Sequence, residues 1–199
     1  MTKKKSTSLP TGSGRKLKVT VKTARGRTTG QVKWLQRQLN DPYVAAARTQ
    51  GYRSRAAFKL MEMDDRHKLI PRGGRIVDLG AAPGGWTQVA VERAGPKGTV
   101  VGLDISPMEA VTGAEILHLD FLAEDAPDRL KAIMGGEADA VLSDMAAPAT
   151  GHRATDHMKI MALCEAALSF AQEVLKPGGA FVCKVQRGGT EGQNRVIGN

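Results

Sequence analysis

Three aspartates come at or just past the ends of apolar segments of this sequence, and a glycine-rich stretch follows a fourth such segment. The aspartates are Asp104, Asp120 and Asp144, and the stretch at 78–86 reads DLGAAPGGW. A single aspartate after a strand is often the N-cap of the next helix. Three at one edge of a sheet, beside a glycine loop, are typical of a ligand site. We therefore expect a binding site that is rich in carboxylates.

The glycine-rich stretch restricts the class of ligand that the expected site can bind. Glycine lets the backbone turn tightly and approach a ligand without a Cβ in the way. Position 82 is Ala, so the dinucleotide fingerprint is not met, and no Gly-Lys-Ser/Thr follows as in a P-loop. The carboxylates would repel a polyanionic cofactor, whereas an acidic residue after the second strand can accept hydrogen bonds from ribose hydroxyls. S-adenosylmethionine has an adenosine, a sulfonium cation and no phosphate, so it is the expected cofactor, and no metal is expected.

Alternating strand and helix candidates position these residues from Arg75 onward. The pattern predicts an α/β, Rossmann-like fold with a mostly parallel sheet and helices on both faces. Ligands bind at the carboxyl ends of the strands in such a sheet, where the aspartates lie. The predicted strands are 76–79, 99–103, 115–119, 139–142 and 180–185, and the predicted helices between them are 85–94, 106–112, 125–134 and 155–175.

The charge of the chain is concentrated towards its N-terminus. The formal net charge is +9, and residues 1–30 hold nine of the 29 Lys+Arg and no acid, so the remainder is balanced. We predict a disordered basic arm over 1–30, with a solubility tail as the alternative, and a basic helical segment over 31–74. This segment is expected to contact RNA phosphates. The candidate contacts are Lys33, Arg37, Arg53 and Arg55.

The composition excludes several classes of protein. No apolar run reaches the ~20 residues of a membrane span, and the basic N-terminus lacks the apolar core of a secretory signal. Cys164 and Cys183 do not make a disulfide framework. We expect a cytoplasmic, monomeric protein without a membrane partner.

Three separated motifs resemble the FtsJ/RlmE family of ribosomal RNA large-subunit methyltransferases. They are R-S-R-A-x-F-K-L at 53–60, D-L-G-A-A-P-G-G-W at 78–86 and S-D-M-A-x-P at 143–148. The similarity runs from about Trp34 to Glu191. Within this range the methyltransferase domain is predicted over 75–191, where strand and helix candidates alternate. The resemblance implies methylation of a uridine 2′-hydroxyl in the A-loop of 23S rRNA, on the 50S particle, with S-adenosylmethionine as donor.

The resemblance also implies which residues bind the cofactor. Asp104 would bind its ribose, Asp120 would lie at the adenine edge and Asp144 near the methyl group. The glycine loop would line the remainder of the pocket, through Gly80, Pro83, Gly84 and Trp86.

The family's catalytic set is Lys-Asp-Lys-Glu, and the resemblance matches its first three members to Lys59, Asp144 and Lys184. A ribose hydroxyl must lose its proton to attack, and a lysine acts as base only if burial or a neighbouring cation lowers its pKa. Lys184 lies in an otherwise apolar strand and would be the base, with Lys59 as second cation and Asp144 orienting the ammonium group. The alternatives are a solvated helix face for Lys59 and an edge-strand lysine for Lys184.

Other methyl acceptors fit the sequence less well. Methyltransferases of exocyclic amines carry an aromatic after the fourth strand, and the stretch 145–148 has none. Cytosine C5 chemistry needs a cysteine in the site. Cys183 neighbours Lys184 on a strand and so faces the other way, and Cys164 lies in the long helix. Ribose methylation is the better interpretation.

The sequence departs from the family after Glu191. The relatives continue through a helix and two more strands that hold the catalytic glutamate, whereas 192–199 is an atypical tail that suggests a truncation or frameshift. We therefore expect a sheet that lacks its last strands, with Lys184 on an open edge strand and low stability. Two alternatives stay open: a catalytically impaired protein that binds S-adenosylmethionine, RNA and the ribosome, and a 2′-O-methyltransferase of tRNA.

Overall fold

The computed structural model describes residues 20–22, 25–185 and 193–198. Of the predicted arm over 1–30, residues 1–19 and 23–24 lie outside the described residues, and the first helix begins at Thr29. The predicted tail over 192–199 is described only as the backbone of a strand, Gln193–Gly198.

Within the described part of the chain, three helices precede the sheet: α1 (Thr29–Asn40), α2 (Pro42–Gln50) and α3 (Ala56–His67). A capping box starts α1, because the Gln31 N–H donates to Thr28 Oγ1 (3.3 Å) and the Thr28 N–H donates to the Gln31 side chain (2.9 Å). Asp41 caps α2 by accepting from the Tyr43 N–H (2.8 Å).

The remaining described elements build a six-stranded sheet in the order β3-β2-β1-β4-β5-β6. The first five strands are parallel, as predicted, and β6 runs antiparallel to β5. The chain leaves β1 for β2 on one side and returns to β4 on the other, which creates a switch point between β1 and β4. The elements are β1 (Arg75–Leu79), α4 (Gly85–Ala94), β2 (Thr99–Asp104), β3 (Glu115–His118), α5 (Ala126–Met134), β4 (Ala138–Ser143), α6 (Arg153–Val174), β5 (Leu175–Val185) and β6 (Gln193–Gly198).

The core lies on both faces of the sheet, because successive strand residues point to opposite sides. Ile76 and Val182 pack with α3 and α4, whereas Val77 and Phe181 pack with α5 and α6. The predicted α/β arrangement with helices on both faces is therefore confirmed.

Two structural expectations are wrong. Residues 106–112 form no helix, because Pro107 interrupts the segment and the carbonyls of Glu109 and Ala110 accept hydrogen bonds from Arg53. The strand that carries Lys184 is not an open edge, because β6 pairs with β5 from Ala180 to Val185. The expected low stability, which was argued from that open edge, loses its basis.

No helix of the described residues is long and apolar enough to span a bilayer.

Candidate active site

The carboxyl ends of the strands bring the predicted site residues to one edge of the sheet. Gly80 follows β1, Asp104 ends β2, Asp120 lies two residues past β3, and Asp144 follows β4. Lys184 lies near the end of β5. These residues are far apart in sequence, and the parallel strands place them beside the switch point, where ligands of such sheets bind.

Gly80 allows the loops after β1 and β4 to cross in contact. Its φ is +80°, and a Cβ added there would lie 2.7 Å from the Met145 nitrogen. The Gly80 N–H donates to the Leu103 carbonyl (2.9 Å), and the Asp144 N–H donates to the Leu79 carbonyl (2.9 Å). These backbone bonds fix the position of Asp144 next to the glycine loop.

Asp104 links the end of β2 to the glycine loop. Its Oδ2 accepts from the Ala82 N–H (2.9 Å), and its Oδ1 accepts from the Ser106 N–H (2.7 Å). Each carboxylate oxygen has two lone pairs, so both keep capacity for a ligand hydroxyl. Asp120 is more exposed and holds its own turn by accepting from the Leu122 N–H (3.0 Å).

A cavity of about 360 Å³ opens between these carboxylates and the first half of α6. Gly80, Asp104 and Asp120 were predicted from the sequence, but most of the apolar wall was not. That wall comes from residues adjacent to the strand ends and from α6, whose i, i+3, i+4 spacing is the signal that could have identified its inner face. The further lining residues are Leu103, Ile105, Phe121, Leu122, Met145, Ala146, Ala147, Pro148, Lys159, Ala162 and Leu163.

The glycine loop ends at the start of α4 and packs against α3. Gly84 is the N-cap of α4, with φ +109°. Trp86 is buried, and its Nε1–H donates to the Ala56 carbonyl (2.9 Å) at the start of α3. Pro83, Trp86, Ala56 and Asp144 line a second, small cavity of about 20 Å³, so α3 begins at the site.

Lys184 and Asp144 form an ion pair across the ends of β5 and β4. Their side chains are 19% and 18% exposed, so water screens the pair only in part. Lys59 is exposed on α3, one turn beyond Ala56. The structure thus joins two members of the predicted catalytic set, and it places the helix of the third at the same edge.

Asp78 is a buried carboxyl under the site that sequence reasoning assigned no role. Its Oδ2 accepts from the Thr87 hydroxyl (2.6 Å), and its Oδ1 has no hydrogen-bond partner among the described residues. Burial raises the pKa of Asp78 from an ordinary 3.8 to about 7; the Thr87 hydrogen bond lowers it, and the charges of Asp144 and Asp104 raise it further. Its signal in the sequence is its position as the first residue of the D-L-G motif.

The four predicted RNA contacts differ in their surroundings. Lys33 and Arg37 are exposed on α1. Arg55 is 47% exposed and pairs with Asp41 at the start of α2. The guanidinium of Arg53 instead donates to backbone carbonyls next to the site.

The Cys183 side chain packs on the face of the sheet that α5 and α6 cover, and Cys164 lies in the long helix α6, as predicted. Cys183 is buried, and its Sγ lies 3.3 Å from Sγ of Cys164 on α6. Burial and the Cys183 thiol raise the pKa of Cys164 to about 12, so it is a poor nucleophile. Across the residues that the structure describes, no group of His, Cys, Asp or Glu is arranged to hold a metal ion.

Comparisons with known proteins agree on one family. A family model described as FtsJ-like methyltransferase matches residues 52–197. The chain is 59% identical over 197 residues to "Ribosomal RNA large subunit methyltransferase E" of Parvibaculum lavamentivorans, an alignment that covers 94% of this chain and 78% of that protein. The protein of the same name from Gluconobacter oxydans is 64% identical over 173 residues, which covers 87% of this chain and 64% of that protein.

A solved structure shows the same architecture. The crystal structure from Plasmodium falciparum described as a ribosomal RNA methyltransferase is 29% identical to this chain. It superposes with a TM-score of 0.63 over 69% of this chain and 80% of that chain.

Proposed function

Because the chain belongs to the FtsJ-like methyltransferase family, we propose that it methylates the 2′-hydroxyl of a uridine in the A-loop of 23S rRNA, on the 50S particle. The observation that carries this proposal is the ion pair between Lys184 and Asp144 at the carboxyl edge of the sheet, beside the cavity. The carboxylate holds the lysine side chain in a fixed orientation, and in its neutral form the amine can accept the proton of a weakly acidic hydroxyl.

The residues present fit S-adenosylmethionine as cofactor. The cavity wall is largely apolar, as a purine requires, and carries the carboxylates of Asp104 and Asp120 at the strand ends. Asp104 keeps lone pairs for ribose hydroxyls, and the carboxylate of Asp144 in the adjoining small cavity favours a cation. When bound, S-adenosylmethionine supplies an electrophilic methyl group on its sulfonium. The glycine loop, through Gly80, Pro83, Gly84 and Trp86, would hold its amino-acid end.

Lys184 acts as the general base in this proposal. In its neutral form the Nζ takes the proton of the 2′-hydroxyl, which makes the ribose oxygen a nucleophile. Asp144 holds the ammonium group that results and keeps it oriented, and Lys59 assists from α3. The chain's other contribution is to hold hydroxyl and methyl group in line, which supplies much of the rate in a transfer between two bound partners.

The RNA would approach over the three helices before the sheet. Lys33 and Arg37 are exposed on α1, and Arg55 lies between α2 and α3, so their charges face solvent. Contacts of this kind bind phosphates and 2′-hydroxyls and recognise an RNA by its shape. We expect the protein to act as a cytoplasmic monomer.

The test is methyl transfer from labelled S-adenosylmethionine to undermethylated 50S particles, followed by mapping of the labelled nucleotide. We expect the label in a uridine ribose of the A-loop, and we expect Lys184→Ala to abolish it. Lys176→Ala is the matched control, because Lys176 pairs with Asp139 at the opposite end of the same two strands. Cofactor and RNA binding without transfer would indicate the non-catalytic alternative, and transfer to tRNA but not to 50S particles would replace the substrate.

A further inference from the structure

The two arginines of the R-S-R motif have different partners. Arg55 forms an ion pair with Asp41 and is 47% exposed. Arg53 uses its guanidinium for hydrogen bonds to backbone carbonyls beside the cofactor cavity. A common role in RNA binding, which the motif predicts, therefore does not account for Arg53.

The guanidinium of Arg53 joins two loops. Its Nη1 donates to the carbonyl of Glu109 (2.7 Å) and, at greater length, to that of Pro83 (3.3 Å). Its Nη2 donates to the carbonyl of Ala110 (2.7 Å). Pro83 belongs to the glycine loop, whereas Glu109 and Ala110 belong to the irregular segment 105–113 that follows β2. One side chain thus binds both loops.

The backbone from which Arg53 extends is itself fixed on α4. The Arg53 N–H donates to Gln88 Oε1 (2.9 Å), and Gln88 Nε2 donates to the Gly51 carbonyl (3.0 Å). The neighbouring Tyr52 is buried and donates its hydroxyl to Glu92 (2.6 Å). The guanidinium therefore reaches the loops from a rigid base.

Packing adds to the hydrogen bonds. A Cβ added at Gly84 would lie 3.0 Å from Arg53 Nη1, 3.1 Å from its Cδ and 3.1 Å from Met108 Cε. Arg53 and Met108 therefore both pack against the glycine at the start of α4. Segment 105–113 also carries Ile105, whose side chain lines the cofactor cavity. Asp104 also joins the two loops, through the Ala82 and Ser106 N–H groups, and without Arg53 this wall would lose the second side chain that connects it to the glycine loop.

We propose that Arg53 is a positioning residue of the cofactor site, which holds segment 105–113 against the glycine loop and so shapes the cavity for the adenosine part of the cofactor. The inference rests on the proposed function, because it takes the ligand of the cavity from it. A lysine cannot reproduce these contacts in full, because the planar guanidinium presents two nitrogens, one shared between the loops and one to Ala110, whereas a lysine has a single nitrogen without that fixed geometry.

The experiment measures binding of S-adenosylhomocysteine to the full chain by calorimetry, without RNA. We expect Arg53→Lys and Arg53→Ala to raise Kd at least about tenfold, because charged hydrogen bonds that shape the site are lost. Arg55→Ala, from the same motif, should leave this Kd unchanged and weaken RNA binding. Added methylguanidinium should restore affinity to Arg53→Ala in part, since it can occupy the vacated position. Hydrogen exchange in 105–113 should accelerate in both Arg53 variants.

The outcomes separate this inference from the proposed function. Folded Arg53 variants that bind as tightly as the wild type would overturn the positioning role, whatever the methylation assay shows. A wild-type chain that does not bind S-adenosylhomocysteine would overturn the proposed cofactor first. If Arg53→Ala does not fold, Arg53→Lys carries the test, because it keeps the aliphatic stem and the charge.

Discussion

Asp144 and Lys184 meet at the carboxyl ends of β4 and β5, although 40 residues separate them in the chain. The same two strands carry a second lysine–aspartate pair, Lys176 with Asp139, at their opposite end. The two pairs have the same chemistry, but one lies at the proposed active edge and the other at the opposite edge. The second pair is therefore a control for the first.

Replacing Asp144 should reduce catalysis more than stability. We expect Asp144→Asn to lower kcat for rRNA methylation by about 100-fold or more, because the amide no longer holds the charged form of Lys184. Asp139→Asn should lower the melting temperature and leave kcat of the folded enzyme close to wild type. Comparable kcat values in the two variants would contradict the role given to Asp144.

A methyl group at Gly80 should disturb the crossing of the two loops. Gly80→Ala combines a positive φ with a Cβ 2.7 Å from the Met145 nitrogen, and backbone there cannot move aside easily. We expect a loss of about 3 kcal/mol in the free energy of unfolding. Gly135→Ala has a φ of +65° in open space and should cost only about 1 kcal/mol. Urea denaturation of both variants measures the difference, and equal costs would show that the Met145 contact is unimportant.

The pKa of Asp78 predicts the sign of a pH effect on stability. Its pKa is raised from 3.8 to about 7 on folding, so the folded protein keeps a proton that the unfolded chain has lost between these pH values. The titration of Asp78 therefore lowers the free energy of unfolding progressively as pH rises from about 4 to 7. Above about pH 7 this reduction stays constant.

Asp78→Asn removes that titration. The variant should gain stability relative to wild type by on the order of 3 kcal/mol as pH rises from 4 to 8, as measured by urea denaturation at a series of pH values. Parallel stability curves for the two proteins would show that Asp78 does not change its protonation in this range.

Asp104 should matter for cofactor binding more than Asp120. Asp104→Ala loses both a proposed ribose contact and the bonds to the Ala82 and Ser106 N–H groups that shape the loops. We expect its KM for S-adenosylmethionine to rise about tenfold or more, with KM for the RNA unchanged. Asp120→Ala should have a smaller effect, because Asp120 is exposed and holds only its own turn. Steady-state kinetics with each substrate varied in turn measure both constants.

The fold was largely predictable because its signals are local. Buried strands such as 99–104 read as short apolar runs that end at an aspartate, and α4 follows its glycine loop directly. Segment 106–112 was assigned to a helix in error, since Arg53, 56 residues before Glu109, satisfies carbonyls that a helix would otherwise pair. The pairing of β6 with β5 was not predicted for a similar reason, because strand pairing is a backbone contact that no sequence motif indicates.

The site was predictable where side chains carry the chemistry. Asp104, Asp144 and Lys184 combine a distinctive residue type with a strand end, and the structure brings them to one edge. Met145 and Leu163 of the cavity wall have ordinary apolar side chains, so their sequence does not distinguish them from core residues. Arg53 was detected as a motif residue, but its partners are carbonyls, which have no sequence signature.

The exposed basic residues of α1 should set how salt affects RNA binding. Lys33 and Arg37 are exposed and are proposed to contact phosphates, and each such contact releases counterions on binding. Replacing both with Ala should weaken binding to 50S particles and reduce the slope of log K against log salt by about 1 to 2. Affinity for S-adenosylhomocysteine should not change. The matched control is the pair Arg72→Ala and Lys97→Ala, which removes the same charge from exposed positions before β1 and β2, away from the active edge. An equal reduction in the slope of log K against log salt in the control would mean that the net charge of the protein, and not the α1 surface, governs RNA binding.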